Sequence, residues 1–130
     1  MASVKKFEDL EIWQLSRRLC NDIYTISEST ELKNNFKLRN QIDGSSGSIM
    51  DNIAEGFERN GNREFIQFLS IAKASCGETR SQLYRVFDRS LVSLEKFETL
   101  REQTEVLSRK ISSFIKYLNL TDLKGTKYRL

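Results

Sequence analysis

The chain of 130 residues contains no histidine and no proline, and it has only two cysteines. Without histidine it cannot assemble a Ser-His-Asp or Cys-His catalytic arrangement, and it lacks the commonest metal ligand. Strand-rich domains of this length usually place proline in turns and edge strands, so its absence, together with only six glycines, favours a few long helices. We therefore expect an all-α protein that is not an enzyme, with no catalytic residue, no cofactor and no metal site.

The cysteines and the hydropathy pattern bear on the cellular compartment. Cys20 and Cys76 are too few and too far apart for a zinc cluster, and both fall on apolar helical stripes, where free cysteine behaves as a small hydrophobic residue. The chain shows neither a signal peptide nor an apolar run long enough to span a bilayer. These features predict a cytoplasmic protein with reduced core cysteines and no membrane partner.

Apolar residues recur every three or four positions along four stretches of the chain, which cover about residues 9–27, 37–55, 62–89 and 94–119. Long helices joined by short polar connections favour an up-down-up-down antiparallel four-helix bundle, here a single domain over residues 1–120. Ser93 is the expected cap of the fourth helix, and Glu8 or Asp9 that of the first. Residues 121–130 lose the periodicity and gain positive charge, which predicts a basic flexible tail.

The middle of the second helix has the composition of a flexible linker, Gly44-Ser45-Ser46-Gly47-Ser48. The apolar period nevertheless keeps its phase across this segment, from Leu38 and Ile42 to Ile49 and Ile53. A loop would have no reason to preserve that phase. We predict a continuous helix whose small residues let a neighbouring backbone approach closely, and a helix break is the alternative.

The end of the second helix carries a motif of three residues, Asn52, Glu55 and Gly56. Gly56 is interpreted as the left-handed residue just past the helix end. Asn52 and Glu55 are interpreted as buried structural groups that hydrogen-bond a neighbouring helix or the following turn, with Arg59 or Arg63 as the charged partner of Glu55. A ligand or RNA contact is the alternative for both. After this turn, Gly61 and Glu64 have the spacing of a degenerate capping box.

The first helix is apolar on an unusually wide arc, which predicts that it buries more than one side. Part of that arc would then face another copy of the chain, so we expect a homo-oligomer. The two apolar stripes comprise Ile12, Leu15, Leu19, Ile23 and Ile26, and Leu10, Trp13, Cys20 and Tyr24.

Positive charge is the remaining functional signal. The net charge of +3 neither requires nor excludes a nucleic-acid partner. Each cation taken alone fits a solvated surface, but an oligomer would repeat weak phosphate contacts and gain avidity. The candidate nucleic-acid-binding residues are Arg59, Arg63, Lys73, Arg80, Arg85, Arg89, Lys124, Lys127 and Arg129.

The first three helices contain four short sets of residues that match a known pattern: Phe7 to Gln14, Leu38 to Gln41, Ser48-Ile49 with Asn52 to Gly56, and Glu64-Phe65-Ile66 with Phe68-Leu69. These segments resemble the four-helix-bundle family of 23S ribosomal RNA intervening-sequence proteins, which is itself similar to the accessory variability determinants of diversity-generating retroelements. The resemblance implies a bacterial bundle that assembles as a pentameric barrel and is encoded within an rRNA insertion or beside a retroelement. In the retroelement relatives the basic barrel associates with a reverse transcriptase and its RNA.

This chain departs from the family pattern at Asp43-Gly44, where relatives often carry a pair of arginines, so two cations are missing from one plausible nucleic-acid surface. The sequence thus supports two functional hypotheses. The first is a non-enzymatic oligomeric scaffold that binds RNA or another nucleic acid through a basic surface, as an accessory to a reverse transcriptase or linked to an rRNA intervening sequence. The alternative is a protein-interaction or structural oligomer with no nucleic-acid role.

Overall fold

The computed structural model describes residues 4–121. Within this range the chain forms four α-helices and two short 3-10 segments, and no strand, which confirms the all-α prediction. Three of the tail candidates, Lys124, Lys127 and Arg129, lie outside the described residues. The helices are α1 (Glu11–Ser29), α2 (Phe36–Phe57), α3 (Asn62–Asp88) and α4 (Leu94–Leu120), and the 3-10 segments are Phe7–Asp9 and Glu31–Asn34.

Helices that contact one another run antiparallel. In each contacting pair of helices, residue numbers rise along one helix while the numbers of the residues that it contacts on the other helix fall. Helix α1 packs on α2 and α4, and α3 packs on the same two helices, so the topology is up-down-up-down. The hydrogen-bonded pairs that set this register are Ser45–Gln82 and Ser48–Ser75 between α2 and α3, Cys76–Thr104 and Asn62–Leu118 between α3 and α4, and Glu11–Lys110 and Asp22–Gln103 between α1 and α4.

The apolar stripes predicted from periodicity form the core of the bundle. On α2, Leu38, Ile42, Ile49 and Ile53 have no exposed surface. They fall on one side of the helix because a step of three or four residues returns close to the same face. The buried stripe on α4 includes Phe97, Leu100, Thr104, Leu107, Ile111 and Leu118.

Helix boundaries agree with the predicted ones to within about two residues, but the caps agree only in part. Ser93 caps α4 as predicted, because its Oγ accepts a hydrogen bond from the backbone N–H of Lys96 at 3.2 Å. The predicted acidic cap of α1 is wrong. Glu8 and Asp9 belong to the preceding 3-10 turn, and the N-cap of α1 is Leu10, whose side chain accepts no capping bond.

Helix α2 is continuous through Gly44–Ser48, as predicted. The expected reason for its small residues holds only for the serines. Ser45 and Ser46 are buried at the helix interfaces, whereas a Cβ added to Gly44 or Gly47 would meet no atom within 4 Å. The two glycines therefore do not serve close packing within the protomer.

The interpretation of Gly56 as a left-handed residue past the helix end is wrong. Gly56 is buried inside α2, which continues to Phe57, and it does not have a positive φ. A Cβ at this position would lie 2.6 Å from the Phe68 Cβ and 3.0 Å from the Phe65 Cδ1. Glycine is needed here because α3 approaches the backbone of α2 closely.

The residue that adopts a positive φ in this turn is Gly61, with φ of +88°. It is the N-cap of α3, and it supplies backbone freedom rather than a side-chain cap. The predicted capping box is therefore not formed, since it needs a side chain at the N-cap.

The two apolar stripes of α1 have different environments. Ile12, Leu19 and Ile23 from the first stripe are buried in the core. In the second stripe Trp13 is half-buried, with its ring edge against Phe7 at 5.2 Å between centroids. Tyr24, also in the second stripe, is 60% exposed, so the bundle covers this side of α1 only in part.

Candidate nucleic-acid interface

A groove of about 450 Å³ runs between α3 and α4 and is lined by cations and hydroxyl groups. Lys73 and Arg80 come from α3, where seven residues separate them by two helical turns, or about 10 Å along the axis. Arg109 faces them from α4. The remaining lining residues are Glu105, Ser108, Ser112 and Ser113, all from α4.

The single carboxylate of the groove is already paired. Glu105 forms an ion pair with Arg101, which also contacts Glu98 at 2.7 Å. The hydrogen bond to Glu98 and the nearby charge of Glu105 raise the pKa of the Arg101 guanidinium. Within residues 4–121, none of the three groove cations Lys73, Arg80 and Arg109 forms an ion pair. The groove therefore presents an excess of uncompensated positive charge.

Cys76 lies on α3 between the two groove cations but does not contribute a reactive thiol. It is fully buried, and its Sγ donates to the carbonyl oxygen of Thr104 at 3.2 Å. Burial raises the pKa of the Cys76 thiol to about 11, although Arg80 and Lys73 act in the opposite direction. At neutral pH the thiol is protonated, which makes it a poor nucleophile.

Cations that face a row of serine hydroxyls can bind a phosphate backbone. Arginine and lysine supply charge-assisted donors, and serine hydroxyls donate to phosphate oxygens without reading the base. Among the described residues, no three side chains of the metal-ligating types histidine, cysteine, aspartate and glutamate converge on one point. None of the four helices is both long and apolar enough to cross a bilayer.

The other predicted cations of the described chain have different surroundings. Arg59 is held by Glu55 at 3.5 Å, and its guanidinium carbon lies 5.0 Å from the ring centroid of Phe68. Arg85 donates to the Gln41 Oε1 at 3.2 Å, which ties α3 to α2. Arg63 and Arg89 are exposed at opposite ends of α3. The structure thus brings Lys73 and Arg80 together and leaves these four outside the groove.

The predicted roles of Asn52 and Glu55 fit the structure unequally. Asn52 is half-buried and donates to the carbonyl oxygen and the Oγ of Ser48, and this Oγ in turn lies 3.0 Å from the Ser75 Oγ on α3. Asn52 thus supports a link between the helices through Ser48. The interpretation of Glu55 as a buried group is wrong, because its side chain is 52% exposed. Its salt bridge to Arg59 within one helical turn is a surface interaction.

Sequence reasoning missed the α4 half of the groove. Arg109 was not among the candidate residues because the groove forms between two helices that are distant along the chain. The sequence did contain one sign of this half of the groove. Ser108, Ser112 and Ser113 lie close to Arg109 along α4, with spacings of four and five residues that bring them to neighbouring positions on the helix beside the buried Ile111. A polar stripe of this kind at the border of a core stripe is also typical of an ordinary solvated face, so the pattern alone did not distinguish the two.

A second surface feature follows the contact between α1 and α4. Three depressions of about 370, 310 and 210 Å³ lie along this seam. The first is lined by the apolar groups of Leu10, Phe114 and Tyr117, and the next by Leu15 and Val106. The α1–α4 seam is therefore the least tightly closed side of the bundle.

Comparison with known proteins identifies a sequence family and solved structures of similar fold. The sequence profile of the 23S rRNA-intervening sequence protein family matches residues 8–113. The fold is similar to the crystal structure of a protein of unknown function from the S23 ribosomal protein family of Bacteroides thetaiotaomicron, with a TM-score of 0.74 and 24% identity over 81% of this chain and 98% of that one. No curated protein has significant sequence similarity to this chain.

Proposed function

Because the chain belongs to the 23S rRNA-intervening sequence protein family, we propose that it is a non-enzymatic scaffold that binds RNA through the groove between α3 and α4. The observation that carries the proposal is the set of three cations, Lys73, Arg80 and Arg109, which have no carboxylate partner among the described residues and lie against serine hydroxyls. Glu105, the acidic group that lines the groove, is paired with Arg101, which also binds Glu98 outside the groove.

The groove is proposed to contact the phosphate backbone of the RNA and not the edges of its bases. Each cation that contacts a phosphate releases condensed counterions, so binding weakens as salt rises. The serines position the backbone without adding sequence preference. We therefore expect affinity for RNA with little dependence on sequence and a steep dependence on ionic strength.

The scaffold is proposed to be a homo-oligomer, with five copies as the resemblance to the family implies. Five protomers of charge +3 carry a total charge of 5 × 3 = +15. Five grooves would contact one RNA at the same time, so the overall affinity would exceed that of a single groove. The open α1–α4 seam and the exposed Tyr24 support a contact between copies along α1. In the bacterial cytoplasm such a ring would serve a reverse transcriptase or an rRNA carrying the intervening sequence.

Gel-shift titration of a structured RNA at several salt concentrations tests the RNA-binding proposal. The variant K73Q/R80Q/R109Q removes three groove charges, and K5Q/K6Q/K96Q removes three exposed charges elsewhere as the matched control. The slope of log K against log salt should fall by roughly 2 to 3 in the groove variant, since each lost contact accounts for about 0.7 on a single strand and about 0.9 on a duplex. The control should change little.

Two results would contradict this proposal: no binding by the wild-type protein even at low salt, or an equal loss of affinity in the two variants. The first would favour the alternative of a protein-interaction or structural oligomer, which the partly uncovered second stripe of α1 also supports. Light scattering tests the oligomer separately. A monomer at micromolar concentration would contradict both the proposed ring and the proposed contact between copies along α1.

A further inference from the structure

Phe36, the first residue of α2, is a large apolar side chain that does not join the core. It is 65% exposed, whereas Leu38 two positions later is fully buried. The guanidinium carbon of Arg39 lies 5.0 Å from the centroid of the Phe36 ring. Arg39 is itself anchored, because its Nη1 donates to the carbonyl oxygen of Lys33 at 3.3 Å. The ring and the guanidinium therefore form a fixed pair on the surface.

Positive charge surrounds this pair on the α2–α3 side of the bundle. Arg85 bonds to Gln41, so in the antiparallel register the start of α2, with Lys37, lies at the same end of the bundle as Arg89, the C-cap residue of α3. Lys33, Lys37 and Arg89 are exposed, and within residues 4–121 none of them forms an ion pair. The acidic residues at this end of the bundle are also exposed, and they are Glu28, Glu31, Asp88 and Glu95.

We propose that Phe36 is a stacking platform for an unpaired base of RNA, with Lys37, Arg39 and Arg89 contacting the flanking phosphates. An open aromatic face next to cations suits single-stranded RNA, because its bases are free to stack on a side chain, whereas a duplex hides the faces of its bases. This inference rests on the proposed function and narrows it. The α3–α4 groove holds any phosphate backbone, and the Phe36 platform selects single-stranded segments.

Binding of a single-stranded 12-nucleotide oligouridine and of a 12-base-pair RNA duplex to F36A, F36W and wild-type protein tests the platform. Leu120 is 85% exposed at the C-terminal end of α4, at the opposite end of the bundle, so L120A is the control for the loss of an exposed apolar side chain. F36A should lower the affinity for oligouridine by about fivefold or more, as expected for the loss of one base–aromatic stack. F36A should leave duplex affinity unchanged. F36W should retain oligouridine binding and show a change in indole emission when oligouridine is added.

The outcomes separate this inference from the proposed function. If wild-type protein binds neither RNA, both fail. If it binds both and F36A binds oligouridine as tightly as wild type, only the platform is overturned. If F36A instead lowers the oligomeric mass in light scattering and weakens both RNAs equally, Phe36 is a contact between copies and the platform is again overturned. An unchanged circular dichroism spectrum confirms that each variant is folded.

Discussion

The side chain of Asn62, at the start of α3, caps the last turn of α4. Its Nδ2 donates to the carbonyl oxygen of Leu118 at 2.8 Å, and also to the carbonyl oxygen and Oγ1 of Thr121. The last carbonyls of a helix lack the partner that the next turn would supply. Asn62 donates to the Thr121 carbonyl and adds to the longer bonds that the Leu118 carbonyl accepts from the backbone N–H and the Oγ1 of Thr121, at 3.4 and 3.3 Å. The two helix ends are thereby joined although 56 residues separate Asn62 from Leu118.

We predict that N62A lowers the free energy of unfolding by about 1 kcal/mol, because part-buried acceptors at the end of α4 lose one of their donors. The loss is moderated because the Oδ1 of Asn62 is buried without a donor among the described residues, and alanine removes that cost. Urea denaturation measures the change. Asn40 is exposed on α2, so N40A is the control and should not destabilise the protein. Equal stability of N62A and wild type would show that the cap is not needed.

Two glycines of α2 should respond in opposite ways to alanine. G56A should destabilise the protein by roughly 1–3 kcal/mol, since the new Cβ would overlap the Phe68 Cβ and force the helices apart. G44A should stabilise it by up to about 1 kcal/mol, because alanine favours the helix and space is available. Thermal and urea unfolding of the two variants provide the comparison. Similar stability of G56A and G44A would contradict the close approach of α3 to the backbone of α2 at Gly56.

The buried thiol of Cys76 should make the protein less stable at alkaline pH. Burial raises the pKa of Cys76 from 9.0 to about 11, so between these values the unfolded chain loses a proton that the folded chain keeps. Stability from this group is complete below pH 9 and declines as the pH rises toward 11. By pH 10 the loss should be about 1 kcal/mol.

Urea denaturation of C76A between pH 8 and pH 10 isolates this contribution. The free energy of unfolding of C76A should decline less steeply with pH than that of wild type. Burial also raises the pKa of Cys20, but Cys20 is only half-buried whereas Cys76 is buried. C20A should therefore reduce the pH dependence of the free energy of unfolding less than C76A does. Identical slopes for C76A and wild type would contradict the assignment.

Periodicity predicted the helices well because it reports a local property. Leu38, Ile42, Ile49 and Ile53 keep one phase, and this phase correctly indicated that α2 continues through its glycine-rich middle. Gly56 was misinterpreted because a glycine near a helix end looks the same whether it supplies a left-handed turn or admits a neighbour. Its role is set by Phe68, on a different helix.

The candidate site was only half predictable for the same reason. Lys73 and Arg80 share a face of α3 and could be identified from their spacing, but Arg109 joins them only after α3 and α4 pack. Phe36 lies just before the predicted second helix, which began at about residue 37, and it was not among the candidate residues. Its exposure and its contact with Arg39 come from the position of the helix start in the fold.

The unequal closure of the bundle has a consequence for its internal dynamics. Helices α2 and α3 share the most extensive interface, whereas the α1–α4 seam is shallow and marked by depressions. Segments with fewer tertiary contacts open at lower free energy, so α1 can detach while α2 and α3 remain paired. Backbone amides of α1 should therefore exchange with deuterium sooner than those of α2 and α3, and the α2–α3 hairpin is the last unit of the native structure to open.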